Sequence, residues 1–385
     1  MKIGILGAGQ LGRMLAEAGR ALDMEFRFLD PATEISARGA GEHVVAAYED
    51  IDALEEFARG LDAITYEFEN VPLESVRWLN QRVPVFPPPD ALRSAQDRLF
   101  EKNFFTRCEI PTPPYRDFFF RDEYDDALRT LGLPAVMKTR RFGYDGKGQR
   151  VLRSQPVVEL AWKDLNGIPL FLEGFVPFDR EVSLIAVRAR DGEFAFYPLI
   201  ENHHREGILR LSIAPAAVSS FQQVIAEGYA RKIMEELNYV GVLTIEFFVS
   251  GDKLLANEMA PRVHNSGHWT IEGAETSQFE NHLRAVSGLP LGSTAPRGRS
   301  AMINLIGTIP DAARALDGAH FHDYEKSPRA GRKLAHLTLS AESWAQLSGQ
   351  LAAAAKALQD PLLDDALRQV QSHELPPPDP PRNSS

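Results

Sequence analysis

A β-hairpin is predicted by the stretch Gly241-Val-Leu-Thr-Ile-Glu-Phe-Phe-Val249, followed by Ser250-Gly-Asp-Lys253 and Leu254-Leu-Ala-Asn-Glu-Met-Ala260. If its turn centres near Asp252, Glu246 and Glu258 lie six residues away on either side and face each other. Opposed like charges destabilise a sheet, so the pair calls for a cation. Oxygen ligands on paired strands suit Mg²⁺ shared with substrate phosphates, and Asn257 is a further hard ligand. The alternative is a pair of glutamates that is solvated or bound to arginines.

A glycine-rich loop between two strands is the second feature. The apolar strand Ala135-Val-Met137 ends in Lys138, the loop Arg141 to Gln149 follows, and Arg150 to Leu152 is again a strand. This order differs from the strand, loop and helix of a P-loop. Such a loop can lay backbone N–H groups over phosphates, which Lys138 would also contact. The alternative is an exposed hairpin with ordinary turn glycines.

The N-terminus predicts a doubly wound α/β unit with a parallel sheet. The strand Lys2 to Leu6 leads into Gly7-Ala-Gly-Gln-Leu-Gly12 and then into a helix (Arg13 to Leu22). A second strand (Glu25 to Leu29) follows, with Asp30 directly after it. The glycines match the dinucleotide fingerprint, but that pattern alone is weak. A tight turn without a cofactor and an NAD-binding oxidoreductase both stay open.

The rest of the chain predicts two further domains. We expect an N-terminal domain over 1–88, a central α+β domain over 89–292 that begins with a helix from Ala91 to Arg107, a small C-terminal β-rich domain over 293–372 and a disordered tail over 373–385. The strands predicted for the central and C-terminal domains are Ala135–Thr139, Leu170–Phe175, Glu181–Arg188, Ala195–Leu199, Gly241–Val249, Lys253–Met259, Ala301–Ile306, Phe321–Tyr324 and Arg332–Ser340. Helices are predicted over Ser219–Leu237 and Ser343–Leu358.

Polar residues mark other parts of a ligand site. An edge-like strand, Glu173 to Val176, could offer backbone groups to an adenine rim, and Glu181 could accept from ribose hydroxyls. Residues 262–268, Arg-Val-His-Asn-Ser-Gly-His, suit a small planar anion, because arginine binds oxyanions bidentately. His268 is expected to be a structural residue. The basic stretch 329–333 could reach an anion or be solvated.

Composition sets limits on the classes of function. With 44% hydrophobic and 25% charged residues, the 385-residue chain has the profile of a soluble globular protein. A net charge of −11 argues against general nucleic-acid binding. A single cysteine, Cys108, excludes internal disulfides, and no apolar run reaches bilayer length, so we expect a cytoplasmic protein that binds no membrane.

Several motifs resemble those of the N5-carboxyaminoimidazole ribonucleotide synthetase family, which belongs to the ATP-grasp enzymes. They are Gly9-Gln-Leu-Gly12, Tyr66-Glu-Phe-Glu-Asn70, Gly143-Tyr-Asp-Gly-Lys-Gly-Gln149, Gly241-Val, Asn257-Glu-Met-Ala-Pro-Arg-Val-His-Asn-Ser-Gly-His268, Asn304-Leu-Ile-Gly307 and Gly331-Arg-Lys333. The resemblance runs from residue 1 to about residue 340 and implies an ATP-grasp fold with a two-subdomain antiparallel ATP-grasp domain. It also implies a ligase of de novo purine synthesis that carboxylates 5-aminoimidazole ribonucleotide with ATP and bicarbonate. Another ATP-grasp ligase remains the alternative.

The resemblance also implies roles for individual residues. ATP would contact Arg98, Lys138, Gly143, Tyr144, Asp145, Gly146, Lys147, Gly148, Gln149, Glu173, Gly174, Phe175, Val176, Glu181, His204, Asn257 and Glu258. Glu246 and Glu258 would bind Mg²⁺ or Mn²⁺, and Arg262, His264, Asn265 and Lys333 would be catalytic. The ribonucleotide would contact Gly9, Gln10, Leu11, Glu69, Tyr144, Asp145, Arg332 and Lys333. A homodimer is what the family suggests.

Overall fold

The computed structural model describes residues 1–143, 147–165, 167–361, 363, 367 and 368. Its first unit contains β1 (Lys2–Leu6), α1 (Gln10–Gly19), β2 (Glu25–Leu29), β3 (Glu42–Val44), α2 (Ile51–Ala58), β4 (Ala63–Tyr66) and α3 (Leu73–Asn80). The strands form a parallel sheet in the order β3-β2-β1-β4. The predicted parallel α/β unit is therefore confirmed, and β1 and β2 have the predicted bounds.

A break in the predicted helix 91–107 separates α4 (Pro89–Gln96) from α5 (Arg98–Arg107). The single-helix prediction was wrong because Asp97 has extended backbone angles, and its carboxylate accepts the N–H groups of Leu99 and Phe100. Aspartate is a preferred residue for starting a helix in this way. Asp97 also pairs with Arg140 at 2.8 Å, which ties the start of α5 to the glycine-rich loop.

A small antiparallel sheet carries that loop. Its elements are β5 (Tyr115–Phe118), α6 (Arg121–Leu131), β6 (Ala135–Thr139), β7 (Gln149–Leu152), α7 (Gln155–Leu165) and β8 (Leu170–Gly174). The strand order is β5-β8-β6-β7, so the predicted strand, loop and strand are confirmed as the hairpin β6–β7. The expectation of an edge strand at 173–176 was wrong, since β8 is paired on both sides and its last two residues, Glu173 and Gly174, lie inside the sheet.

A nine-stranded antiparallel sheet forms the body of the protein. Its strands are β9 (Arg180–Arg188), β10 (Phe194–Phe196), β11 (Ile200–Arg205), β12 (Ile208–Ala214), β13 (Gly241–Ser250), β14 (Lys253–Ala260), β15 (Arg299–Ile306), β16 (Ala319–Asp323) and β17 (Lys333–Ala341). The order is β14-β13-β9-β11-β12-β15-β17-β16, with β10 beside β9. The C-terminal strands thus extend the central sheet through the β12–β15 pairing and do not form a sheet of their own.

The remaining helices pack around this sheet. They are α8 (Ser220–Glu236), α9 (Thr270–Gly273), α10 (Gln278–Ser287), α11 (Asp311–Arg314) and α12 (Trp344–Leu358), with 3₁₀ turns at Arg20–Leu22 and Asn265–Gly267. No helix in the described ranges is long and apolar enough to cross a membrane. The predicted tail 373–385 lies outside the described residues.

One hydrophobic core joins the N-terminal unit to the large sheet. Met14 of α1 and Phe26 of β2 share a buried cluster with Trp269 and with Leu283 of α10. A buried histidine adds a polar link, because His282 Nε2 lies 2.8 Å from the Thr65 hydroxyl while its Nδ1 accepts the Val242 N–H. The glycine turn before α1 is consequently held against the same end of the large sheet as the residues after β14.

Candidate active site

The hairpin β13–β14 brings Glu246 and Glu258 opposite each other, as predicted. The turn is shorter than expected, since Ser250 pairs with Lys253 and only two residues separate the strands. A β-bulge corrects the register: Phe247 pairs with Ala256, and Asn257 is the extra residue. Bulges redirect side chains next to active sites. The bulge, and not the position of the turn alone, therefore makes the two glutamates face each other.

The two carboxylates differ in their surroundings. Withdrawal from water and the nearby Glu258 charge raise the pKa of Glu246 to about 7. Withdrawal from water also opposes ionisation of Glu258, but the adjacent Arg98 guanidinium outweighs it and lowers the pKa of Glu258 to about 2. Nε2 of His264 lies 3.5 Å from Glu246 Oε1, and burial keeps the pKa of His264 well below its usual range. The nearby His204 and Lys333 favour ionisation of Glu246 but do not outweigh its burial and the Glu258 charge.

A buried charge cluster supports the hairpin from behind. Glu173 lies 2.6 Å from the Lys102 ammonium and 2.5 Å from that of Lys138. Lys102 also donates to the carbonyl groups of Ala256 and Asn257, at 3.1 and 2.7 Å, so it holds the bulge. Lys102 is not among the site residues predicted from the sequence.

The described ends of the glycine-rich loop lie over the β13–β14 hairpin. Arg98 donates to the carbonyl of Gly143, and the Thr139 N–H donates to that of Gly148 at 2.7 Å. Gly148 has φ +72°, and a side chain there would come within 2.4 Å of Thr139 Oγ1. Glycine is needed at this position for both reasons. Tyr144, Asp145 and Gly146, predicted to contact ATP, lie outside the described residues.

A cavity of about 340 Å³ opens between the loop, the hairpin and the N-terminal unit. Of the predicted site residues that the structure describes, it brings together Gln10, Leu11, Glu69, Arg98, Gly143, Gln149, Glu181, His204, Glu246, Asn257, Glu258, Arg262, His264, Asn265 and Lys333. His204 Nδ1 lies 2.5 Å from Glu181. Burial alone would lower the pKa of His204, but the hydrogen bond to this carboxylate raises it. The fifteen residues named above, from the predicted metal, ATP, acid and ribonucleotide sites, thus share one cavity.

The segment after β14 forms one wall of this cavity. Arg262 lies 2.5 Å from Glu69, while its Nε has no partner among the described residues. The amide groups of Asn265 and Asn304 bind each other at 2.7 and 3.0 Å. Arg262, His264 and Asn265 all line the cavity, so a guanidinium, an imidazole and an amide face it together, a set suited to an oxyanion.

The glycine turn before α1 already holds an internal anion. The buried carboxylate of Glu67 accepts the N–H groups of Gly9 and Gly12, the second at 2.6 Å, and Asp30 accepts from Ala8 at 2.9 Å. A helix N-terminus favours negative charge, which here comes from the protein itself. Gly9 is therefore not free to bind a substrate phosphate through its N–H, and a dinucleotide pyrophosphate has no place at Gly9 and Gly12. Glu67 is not among the site residues predicted from the sequence, although it belongs to the motif Tyr66 to Asn70.

Some predicted residues lie outside the cavity wall. Lys138, Glu173 and Gly174 lie behind it, Phe175 and Val176 follow the end of β8, and Arg332 donates to the Ser327 carbonyl at 3.1 Å. Lys147, Gly148 and Gly9 are also not among its described lining residues. His268 is fully buried, as expected for a structural histidine.

A small loop-bearing sheet facing a large sheet across a cavity with paired glutamates defines an ATP-grasp protein. Family models agree: a ribonucleotide synthetase preATP-grasp domain matches residues 1–96, an ATP-grasp domain residues 103–279, and a phosphoribosylaminoimidazole carboxylase C-terminal domain residues 300–350. The chain belongs to the N5-carboxyaminoimidazole ribonucleotide synthase family. The resemblance and the fold class predicted from the sequence are both confirmed.

Individual relatives cover nearly the whole chain. The N5-carboxyaminoimidazole ribonucleotide synthase of Pseudomonas aeruginosa is 54% identical over 354 residues, 91% of this chain and 98% of that protein. The crystal structure of the synthetase from Thermus thermophilus has a TM-score of 0.89 and 57% identity, covering 92% of this chain and 98% of that one. The Aspergillus clavatus synthase, solved with ADP and 5-aminoimidazole ribonucleotide, has a TM-score of 0.85 and 31% identity over 96% and 98% of the two chains.

Proposed function

We propose that this protein uses ATP and bicarbonate to carboxylate the exocyclic amine of 5-aminoimidazole ribonucleotide in de novo purine synthesis. The observation that carries the proposal is the single cavity in which a facing carboxylate pair, Glu246 and Glu258, meets the group Arg262, His264 and Asn265. A phosphoryl donor with its metal and a small acid acceptor could therefore lie next to each other. Family membership supports the same reaction, because the relatives are N5-carboxyaminoimidazole ribonucleotide synthases.

The carboxylate pair fits a divalent cation. Withdrawal from water, together with repulsion from the facing Glu258, raises the pKa of Glu246 to about 7, and a bound cation would offset both effects. Among the described residues no group of three or more His, Cys, Asp or Glu side chains could hold a metal alone. Two carboxylates suffice to hold Mg²⁺ or Mn²⁺ when substrate phosphates supply further oxygen ligands. Held there, the ion would neutralise charge on the β- and γ-phosphate oxygens.

The side chains around the pair would bind ATP. Arg98 and the N–H groups of the loop ends Gly143 and Lys147 to Gln149 would contact phosphate oxygens, and Lys138 would approach from the floor of the site. Glu181 and His204 would bind the ribose, and Asn257 would complete the metal and phosphate contacts. Residues 174–176, at the end of β8, would flank the adenine. In-line phosphoryl transfer requires this kind of positioning and little covalent help.

Bicarbonate becomes reactive by phosphorylation. One of its oxygens would attack the γ-phosphorus, ADP would leave, and the mixed anhydride carboxyphosphate would form. The amine would then attack the carboxyl carbon, phosphate would leave with the original bicarbonate oxygen, and the nitrogen would lose a proton. Arg262 would hold the acid in line, while His264, Asn265 and Lys333 would bind its developing charge.

The ribonucleotide would lie on the N-terminal side of the cavity. The backbone N–H groups of Gln10 and Leu11 have no acceptor among the described residues, and Lys333 lines the same wall. Glu69 would orient Arg262 and approach the substrate amine. Tyr144, Asp145 and Arg332 stay in the proposal on the family resemblance alone.

ADP formation by the purified protein tests the function. We expect ADP release that requires bicarbonate, Mg²⁺ and aminoimidazole ribonucleotide together. ADP release with another acid or amine, and none with this pair, would favour a different ATP-grasp ligase. Glu258→Gln should abolish turnover and keep a native near-ultraviolet circular dichroism spectrum. Glu235→Gln, an exposed change on α8, is the matched control and should keep full turnover.

We also propose that the enzyme works in the cytoplasm as a homodimer. The single cysteine suits a reducing compartment, and the family resemblance supports the dimer. Light scattering on the full chain should give twice the chain mass of 42.8 kDa, and a mass of one chain would refute the dimer.

A further inference from the structure

A row of buried polar side chains leads from the large sheet to His264. Ser212 of β12 donates to Asn202 Oδ1 at 2.8 Å, and Asn202 Nδ2 donates to the Ser183 hydroxyl at 2.9 Å. Ser183 donates to the Ser266 hydroxyl at 2.8 Å, which lies 2.9 Å from His264 Nδ1. We call Ser212, Asn202, Ser183 and Ser266 the hydroxyl row; the three serines are fully buried and Asn202 is 4% exposed. Buried polar groups in an otherwise apolar sheet are costly unless every member is bonded.

The direction of the hydrogen bonds in the hydroxyl row is fixed at the end that contacts His264. The backbone N–H of Ser266 points at His264 Nδ1 at 3.3 Å, and an amide N–H can only donate. Nδ1 must therefore be an acceptor. The Ser266 hydroxyl accepts from Ser183, so its own proton is directed to the same Nδ1. A row running in the opposite direction would require a proton on Nδ1, which would meet the backbone N–H.

The backbone of His264 is also clamped. The buried amide of Gln278 accepts the His264 N–H at 2.9 Å and donates to its carbonyl at 2.6 Å. The ring is thus held at its backbone and at one nitrogen. Its other nitrogen, Nε2, lies 3.5 Å from Glu246 Oε1 at the cavity wall.

We propose that the hydroxyl row is a positioning device that fixes the tautomer of His264, so that Nε2 carries the proton and His264 acts as a hydrogen-bond donor into the cavity. In this state Nε2 can neither remove a proton from the substrate amine nor bind the metal. Resting on the proposed function, the group that receives this donation is an oxygen of bicarbonate or of its phosphorylated form. Ser266 is the positioning residue with the largest effect, because it alone in the row touches the ring.

Nitrogen NMR on the full-length protein, labelled with ¹⁵N at its histidines, tests the tautomer directly. Subtracting the spectrum of His264→Gln identifies the His264 signals. We expect the wild-type protein, without any ligand, to show a protonated Nε2 and a hydrogen-bonded, unprotonated Nδ1. A proton on Nδ1 would overturn the proposal.

Ser266→Ala tests the role of the row, and Ser300→Ala is the matched control. Ser300 is a buried serine of β15 in the same sheet, and its hydroxyl is bonded to Ser340 of β17. Ser266→Ala should shift the Nδ1 signal toward the value of an unbonded nitrogen and mix the tautomers. It should lower kcat for bicarbonate-dependent ADP formation about tenfold with little change in KM for ATP, as expected for one lost hydrogen bond. Ser300→Ala should change neither.

The outcomes separate this proposal from the proposed function. If Ser266→Ala and Ser300→Ala give the same spectrum and the same kcat, the hydroxyl row is only structural and the proposal is wrong. If the wild-type protein shows the expected tautomer but no bicarbonate-dependent ADP formation, the proposed tautomer is supported and the proposed reaction is refuted.

Discussion

Glu173→Gln should destabilise the protein strongly, because Glu173 is the only carboxylate in ion-pair contact with both buried ammonium groups of Lys102 and Lys138 among the described residues. Burial opposes ionisation of this carboxyl, yet the two lysines outweigh it and lower its pKa from an ordinary 4.5 to about 2. A shift of that size corresponds to about 3 kcal/mol at neutral pH. Removing one partner of a buried ion pair costs about 3–5 kcal/mol, so the two arguments agree.

Urea unfolding at pH 7 measures this effect. The control is Glu159→Gln, since Glu159 forms an exposed pair with Arg121 at 2.5 Å and should leave the midpoint nearly unchanged. The folded pKa of Glu173 is depressed, so its stabilisation is present above about pH 4.5 and is lost as the pH falls toward 2. The variant should therefore lose less stability than the wild type on acidification. A loss at pH 7 below about 1 kcal/mol would refute the reasoning about the buried cluster.

Three further changes test other parts of the structure. Glu67→Ala should lower the free energy of unfolding by about 1–3 kcal/mol in urea, because two helix N-terminal N–H groups lose their acceptor; an unchanged midpoint would contradict the assignment. Burial lowers the pKa of His282 to about 3, so the unfolded chain binds the proton first and stability should fall by about 1.4 kcal/mol per pH unit below 6.5. His282→Gln should reduce the dependence of the unfolding free energy on pH below 6.5. The same dependence in the variant and the wild type would contradict the assignment to His282. Gly148→Ala should raise KM for ATP about tenfold, because a left-handed conformation costs a side chain about 1–2 kcal/mol; an unaltered KM would show that the loop tolerates it.

The facing glutamates show what the sequence can and cannot predict. Symmetry about a turn indicated that Glu246 and Glu258 would meet, and they do. The turn is nevertheless centred half a residue earlier, and the Asn257 bulge restores the register. Bulges depend on contacts from other elements, here the Lys102 ammonium on the bulge carbonyls, and local spacing does not reveal them.

Long-range partners explain the other differences. Glycines before a helix indicate an anion site, but only the fold reveals that Glu67, at the end of β4, supplies the anion. Lysine is mostly an exposed residue, so the sequence does not indicate that Lys102 is buried; it is buried because α5 packs against β8 and β14, which supply Glu173 and the Asn257 carbonyl. By contrast, the break at Asp97 carried a local signal, since aspartate favours the start of a helix.

The central claim is that bicarbonate is phosphorylated in the cavity that joins the glutamate pair to Arg262 and His264. The most direct measurement follows oxygen from ¹⁸O-labelled bicarbonate into inorganic phosphate during turnover with ATP and aminoimidazole ribonucleotide. The proposed reaction predicts one labelled oxygen in each phosphate released, because the bond to the bicarbonate oxygen forms at phosphorus and breaks at carbon. Phosphate without label, released at the same rate as ADP, would contradict it.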